Sequence, residues 1–268
     1  MDEPIDYRRY TQLGVELGGR IATVTLCSGA RFNAVTWRMH HELGDVFGDL
    51  ARDARVDVIV LTGAGDAFCA GADLRWLQGQ LDDPPAPREA RERGRAIVLG
   101  LLDCPKPIIA RVNGDAIGLG ATLALLCDIV VAVDGARFAD PHVRIGLAAG
   151  DGGALIWPLL IGYARAKEFL LTGNKVAAPE AARMGLINHA VPAAELDATV
   201  QRFARQLAAG APMAIQFTKA ATHIPLRQAV ESVLEASLAL EGQTLRSHDA
   251  REGVAAFLEG REPRFRGR

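Results

Sequence analysis

A chain of 268 residues, 49% hydrophobic and 23% charged, carries enough apolar mass to bury the core of one large domain, with room for a small appended one. Its formal net charge of -2 and pI near 6.3 exclude a global electrostatic attraction to nucleic acid or anionic membrane, so any such work falls to local charge. The four cysteines, Cys27, Cys69, Cys104 and Cys127, lack metal-type pairing, and three sit in or beside apolar runs. They read as reduced core residues of a cytosolic protein, and no zinc site is expected.

The opening stretch M-D-E-P-I-D-Y-R-R-Y has no apolar run after its charges, which argues against a secretory signal and for a cytoplasmic protein. Val15 to Leu17 and Ile21 to Leu26 alternate around Gly18-Gly19 and predict a hairpin. Thr36 is placed to cap a helix whose Leu43, Phe47 and Leu50 recur on one face. An apolar strand, Val58 to Leu61, follows, and runs into L-T-G-A-G-D-A-F-C-A-G-A-D-L-R-W-L at Leu61 to Leu77.

That stretch carries Gly63, Gly65 and Gly71 before a helical pattern begins at Asp73. Glycine accepts backbone angles that side chains forbid, and the first amides of a helix have no partner inside it. Ala72, Asp73 and Leu74 are therefore placed to aim N–H groups at an incoming oxygen, as half of an oxyanion hole. The competing reading is an ordinary strand-to-helix connection with Asp73 as its cap. A second such bend follows the strand Ile108 to Val112, in N-G-D-A-I-G-L-G-A-T at Asn113 to Thr122, and leads into an apolar helix, Ala121 to Cys127. The N–H of Leu119 or Gly120 can then face the same cavity as that of Ala72, and two converging amides suit a developing enolate or tetrahedral oxyanion. Ala116 to Val133 is the most membrane-like segment, but Asp128 interrupts it, and a buried helix followed by a buried strand, Ile129 to Val133, fits better.

Leu81 to Pro87, L-D-D-P-P-A-P, is the clearest break in the chain. The charged helical pattern R-E-A-R-E-R-G-R from Arg88 reads as a solvated surface helix, with a flap over a cleft as the alternative, and Cys104-Pro105-Lys106-Pro107 ends it. In A-G-D-G-G-A-L-I-W-P, Ala149 to Pro158, Asp151 sits in a third glycine-rich turn nine residues after His142. A carboxylate hydrogen-bonded to an imidazole fixes its tautomer and makes it a better base, so the two are read as a dyad. The alternative has Asp151 capping the helix near Gly152 while His142 only lines the pocket. Ala164 to Leu171 reads as a helix closed at Gly173. Pro179 opens a short helix ended by Gly185, and Leu186 to Val191 returns as a strand. Beyond Pro192 the pattern is helical, about Ala194 to Ala208, Leu226 to Leu245 and Arg251 to Glu259.

Six pieces in this order and spacing resemble the enoyl-CoA hydratase/isomerase (crotonase) superfamily: A-F-C-A-G-A-D-L at Ala67 to Leu74, V-N-G-D-A-I-G-L-G at Val112 to Gly120, C-D-I at Cys127 to Ile129, L-T-G at Leu171 to Gly173, A-R-M-G-L-I-N-H-A-V at Ala182 to Val191, and A-F-L-E-G-R-E-P-R-F at Ala256 to Phe265. The resemblance implies an α/β fold, a spiral of β-β-α turns over residues 1–192, with a helical C-terminal region over 193–268 that completes the cleft and packs across a trimer interface. It also implies a coenzyme A thioester as substrate, no permanently bound cofactor, no metal, and a homotrimer or dimer of trimers. By the same resemblance Arg31, Lys219 and Phe257 would reach coenzyme A, while Ala70, Asp73, Leu74, Gly118, Thr122 and Trp157 would line the substrate site.

One departure bears on the reaction. Hydratases of the superfamily carry two glutamates, where this chain has Thr122 and His142. A threonine cannot act as general base at neutral pH and a histidine can. The expected function is an acyl-CoA enzyme of hydratase or isomerase type in fatty-acyl or related thioester metabolism. Ala72 and Leu119 would supply its oxyanion hole, and Asp151 and His142 its acid–base groups. The G-D-G segment before Trp-Pro, with a histidine nine residues upstream, also resembles the carbon–carbon bond hydrolases of the superfamily, 6-oxocamphor hydrolase among them, making retro-Claisen hydrolysis the second reading. A noncatalytic acyl-CoA or RNA binder is third, resting on the Arg88 to Arg95 helix, whose glutamates weaken it.

Overall fold

The structure is a computed structural model that describes residues 5–83 and 87–268. The opening residues 1–4 of the signal-peptide reading and residues 84–86 of the proline-rich break lie outside the described residues. Strands β1 (Leu13–Gly18) and β2 (Ile21–Leu26) form the hairpin, with Gly19 and Arg20 both at positive φ in a tight turn. Helix α1 (Trp37–Arg52) starts where the Thr36 hydroxyl accepts from Met39 N–H, and buries Leu43, Phe47 and Leu50. Strand β3 (Val58–Gly63) pairs parallel with β2, and α2 (Leu74–Asp82) and α3 (Pro87–Asp103) follow.

From there the chain spirals. Strands β4 (Ile108–Val112) and β5 (Ala116–Ile117) lead to α4 (Leu119–Leu125). Strands β6 (Ile129–Val133) and β7 (Arg137–Ala139) lead through a 3-10 turn, His142–Ile145, to α5 (Gly153–Thr172). Strand β8 (Val176–Ala177), α6 (Ala178–Met184) and β9 (His189–Val191) complete the last turn. The larger sheet is ordered β1-β2-β3-β4-β6-β9 and is parallel except for its hairpin, β4, β6 and β9 being its strands from the successive turns; β5, β7 and β8 form a second, smaller sheet.

Alternation along β3 divides the core. Ile59 and Leu61 face the main core with Phe47, Phe68 and Trp157, whereas Val58 and Val60 face Leu196, Val200 and Ala204 of α7 (Ala193–Ala208), which covers the outer face of the larger sheet. Helix α8 (Pro212–Thr244) packs on α3 and α5, and α9 (His248–Glu259) packs on α2 and the 3-10 turn.

Helix α4 lies two residues earlier than the Ala121 to Cys127 reading and α9 starts three residues earlier than Arg251; three extents differ more. Helix α5 begins at Gly153 rather than Ala164, because its first turns are almost wholly apolar and two helical stretches meet at Gly162 (φ 77°). Helix α8 begins at Pro212, its Pro225 being accommodated within it, and β9 shrinks to three residues because Leu186 and Ile187 turn into the core. Among the described residues no helix is long and apolar enough to cross a membrane.

Candidate active site

The two glycine bends are strapped together. Cys69 and Ala116 form a parallel bridge, with Cys69 N–H donating to Asp115 O and Ile117 N–H to Cys69 O. This approach demands glycine: a Cβ on Gly71 would stand 2.7 Å from Ile117 O, and one on Gly120 would stand 2.4 Å from Cys69 O. Two asparagines hold the first bend from below. Asn33 Nδ2 donates to Ala64 O at 2.8 Å and Ala67 O at 2.9 Å, and Asn113 Nδ2 donates to Gly63 O at 3.0 Å and Gly65 O at 2.7 Å.

Beyond Gly71, Val35 donates to Gly71 O and accepts from Asp73 N–H, so the Ala72 N–H lies on the side away from that bridge. Leu119 opens α4, and its N–H has no acceptor within the helix. Both residues, with Ala70, Leu74 and Gly118, line one cavity of about 1280 Å³. Asp73 does not line it; its carboxylate caps α2, accepting from Arg75 and Trp76 N–H at 3.0 and 2.9 Å.

His142 and Asp151 meet at this cavity. His142 Nε2 lies 3.6 Å from Asp151 Oδ2, and its Nδ1 pairs with Asp140 Oδ1, a fully buried carboxylate that the sequence reading overlooked. The aspartate of the A-D-P-H run, two residues before the histidine, was the available signal. Asp151 does not cap α5: Gly152 holds the cap position, and Asp151 Oδ1 has no hydrogen-bond partner among the described residues. Glu241, reaching in from α8, was also missed, because nothing local in its helix sets it apart from surface glutamates.

Burial sets the charges here. It would drain the proton from His142, but the charges of Asp140 and then Asp151 outweigh it and hold the imidazole well above its ordinary range. Asp151 is pushed up to about 6 by burial, against the pull of the His142 charge. Glu241 is pushed up to about 8, by burial first and the Asp151 charge second. Near neutrality the site therefore combines a protonated imidazole, a carboxylate able to accept a proton and a carboxylic acid able to donate one. This revises the expectation of His142 as the base. Asp140, His142 and Asp151 each offer a ligand atom within 4.8 Å of the others. The imidazole, however, stands between the carboxylates with one nitrogen toward each, the arrangement of a proton path rather than of ligands converging on one ion.

Besides Asp73, four expected contacts fall elsewhere. Thr122 is fully buried behind Gly152 and does not reach the cavity. Trp157 is fully buried too, packed 5.6 Å from the Phe169 ring, because α5 turns that face into the main core. Lys219 is engaged inside the fold, donating to Asp128 Oδ2 at 2.7 Å and Lys106 O at 2.9 Å where α8 crosses the sheet. Arg31 is exposed, its guanidinium 4.5 Å over the Phe32 ring, and only Phe32 lines the cavity. Phe257 does line it, as do Pro263 and Phe265 of the tail. In the charged helix, Arg95 pairs with Glu235 at 2.8 Å and Arg93 lies over Trp37.

The model of the enoyl-CoA hydratase/isomerase family matches residues 16–268. A probable enoyl-CoA hydratase of Rhodobacter capsulatus is 38% identical over 97% of this chain and 99% of its own. Among solved structures, an enoyl-CoA hydratase/isomerase from Mycobacterium paratuberculosis superposes with a TM-score of 0.88 at 36% identity, covering 91% of this chain and 98% of that one. A β-diketone hydrolase from the cyanobacterium Anabaena, bound to (S)-3-oxocyclohexyl acetic acid, superposes at 0.83 and 31%, over 92% and 98%. With a continuous match from the first hairpin to the last residue, the chain belongs to the enoyl-CoA hydratase/isomerase family, a family of enzymes.

Proposed function

We propose that this chain acts on an acyl-CoA thioester by stabilising its enolate, with Ala72 and Leu119 N–H donating to the thioester oxygen and Asp151 moving the proton. The observation that carries this reading is the opening of the Asp140–His142–Asp151 chain onto the cavity that Ala72 and Leu119 line. Donors fixed where charge develops need no reorganisation as the enolate forms. Asp151, as carboxylate, takes a proton from water or substrate carbon, and the His142 cation steadies the charge that shifts between them. The place of Thr122 outside the cavity and the raised pKa of His142 speak against hydration by the usual glutamate pair.

Carbon–carbon hydrolysis is the second reading, favoured by Glu241. In it, water adds to a carbonyl carbon and gives its proton to Asp151. The bond to the neighbouring carbon breaks with its electron pair left as an enolate, and Glu241 or His142 returns a proton to that carbon. The likeness to the Anabaena β-diketone hydrolase supports it. A panel of α,β-unsaturated acyl-CoA thioesters and β-diketones, followed by mass spectrometry, separates the readings. Gain of one water without cleavage supports hydration, an isobaric shift supports isomerisation, and gain of water with cleavage of a diketone supports the second reading. No change across the panel rejects both.

The assembly we propose is a homotrimer or dimer of trimers. Leu159, Tyr163 and Leu171 of α5 and Met213 and Phe217 of α8 expose large apolar surfaces that association would cover. Sedimentation equilibrium giving a monomer at micromolar concentration rejects this.

A further inference from the structure

Helix α1 points a histidine into the cavity that neither proton transfer nor the oxyanion amides use. His40 precedes Leu43 and Phe47 by three and seven residues and so continues the core-facing stripe of α1 at its first turn, where the core opens into the cavity. A histidine on such a stripe ordinarily satisfies its ring nitrogens on protein groups. Here, among the described residues, neither ring nitrogen has a hydrogen-bond partner. The ring is steadied by tilted contact with Trp76 at 5.4 Å between centroids. Burial, with the His41 and Arg93 charges behind it, drives its pKa down to about 4, and its place in the first turn of a helix disfavours the cation further. The imidazole is therefore neutral, with one donor and one acceptor nitrogen. Phe32, Trp76, Leu77, Leu147 and Leu245 give the cavity a large apolar share, with Gln80 and Arg93 lining it as well. Once a ligand displaces water from the cavity, a ring nitrogen left without a partner is costly unless the ligand supplies one.

We propose that His40 is a specificity-determining residue that hydrogen-bonds a second oxygen, a ketone or hydroxyl, on a bulky or cyclic acyl group. The substrates of this site are oxygen-bearing acyl groups rather than plain unbranched enoyl chains. The inference rests on the reading of the cavity as the site for an acyl-CoA thioester.

Saturated thioesters cannot be hydrated at a double bond, so their binding reads recognition apart from that chemistry. Titration calorimetry of the full chain with cyclohexanecarbonyl-CoA and its 3-oxo and 3-hydroxy forms is the test. The wild type should bind at least one oxygenated form roughly tenfold more tightly than the plain one, the scale of one net hydrogen bond. His40→Phe should abolish that preference while holding the plain form at least as well, and His40→Asn should keep part of it. Equal binding of all three by the wild type, or an equal loss for all three in His40→Phe, overturns the inference. Failure of every thioester to bind the wild type rejects the thioester reading itself and the inference with it. Thermal unfolding at the wild-type midpoint confirms that His40→Phe is folded; should it fail, His40→Asn carries the comparison alone, and unchanged discrimination there overturns the proposal.

Discussion

His142 stands between two unequal carboxylates, Asp140 with a fully buried side chain on Nδ1 and Asp151, 3.6 Å from Nε2, at the cavity. The first fixes the ring and its proton; the second meets substrate. Asp151→Asn should therefore lower kcat by roughly a hundredfold to ten-thousandfold with little change in the melting temperature, the scale of one positioned acid–base group. Asp140→Asn should leave a weaker hold on the imidazole proton, so the pH at which the His142 ring loses that proton, followed by NMR, should fall. Near-normal turnover in Asp151→Asn would remove it from the chemistry.

The pKa values of the site set a pH window. Asp151, at about 6, must be ionised to accept a proton, and Glu241, at about 8, must be protonated to donate one. The profile of kcat/KM should then fall below about 6 and above about 8, and Glu241→Gln should flatten the alkaline limb if Glu241 is the donor. Glu241 also makes a stability prediction. Its folded value is raised from the ordinary 4.5, so its contribution is fully present below that value and is lost as pH rises through about 8. Glu241→Gln should raise the melting temperature relative to wild type at alkaline pH and change it little near pH 5. A uniform shift across pH would show that the carboxyl does not titrate in this range.

Much of this was legible in the chain. The glycine spacings gave both bends, and the apolar runs gave β4 and β6 to the residue. His142 and Asp151 were paired on their spacing, the glycine-rich turn around Asp151 and the family resemblance, and the 3-10 turn and the start of α5 bring them within 3.6 Å. What was not legible follows from long-range geometry. Glu241 enters from a helix ninety residues beyond Asp151, and Asp140 was masked by the more familiar histidine beside it. Lys219 and Trp157 were expected at the ligand from the family resemblance, yet burial decides their partners, and no local pattern distinguishes an inward from an outward turn of the helix.

Thr122 tests one such failure. Its side chain is fully enclosed, its Oγ1 has no partner among the described residues, and a Cβ at Gly152 would come within 2.5 Å of its Cγ2. Replacement by glutamate would bury an unpaired carboxylate in a space too small for it. Thr122→Glu, alone or with His142→Glu, should therefore lower the melting temperature by several degrees rather than install hydratase activity. Thr122→Val keeps the shape and removes the unpartnered hydroxyl, so it should be neutral or mildly stabilising. A stable Thr122→Glu protein with increased crotonyl-CoA hydration would place this residue at the cavity after all.

Lys219 separates most sharply the two roles available to such a cation, ligand contact and structural ion pair. Its ammonium is buried and donates to Asp128 Oδ2 and Lys106 O, while Asp128 Oδ2 also accepts from Ile108 N–H at 2.7 Å and its Oδ1 lies 3.3 Å from His223 Nε2. This cluster ties α8 to the starts of β4 and β6. Burial alone would raise the Asp128 carboxyl, but the His223 hydrogen bond and the Lys219 charge outweigh it and hold it below the ordinary range. Stability from that lowering is present above the ordinary carboxylate value and is lost as pH falls through the folded one. Lys219→Met should therefore destabilise by roughly 3 kcal/mol, since removing one partner strands a buried charge, and should move acid unfolding to higher pH. Adding Asp128→Asn should recover part of the loss, because the stranded charge is then gone. Affinity for coenzyme A, measured by calorimetry on the folded variant, should stay within about twofold of wild type. A large loss of that affinity with an unchanged melting temperature would instead return Lys219 to the ligand.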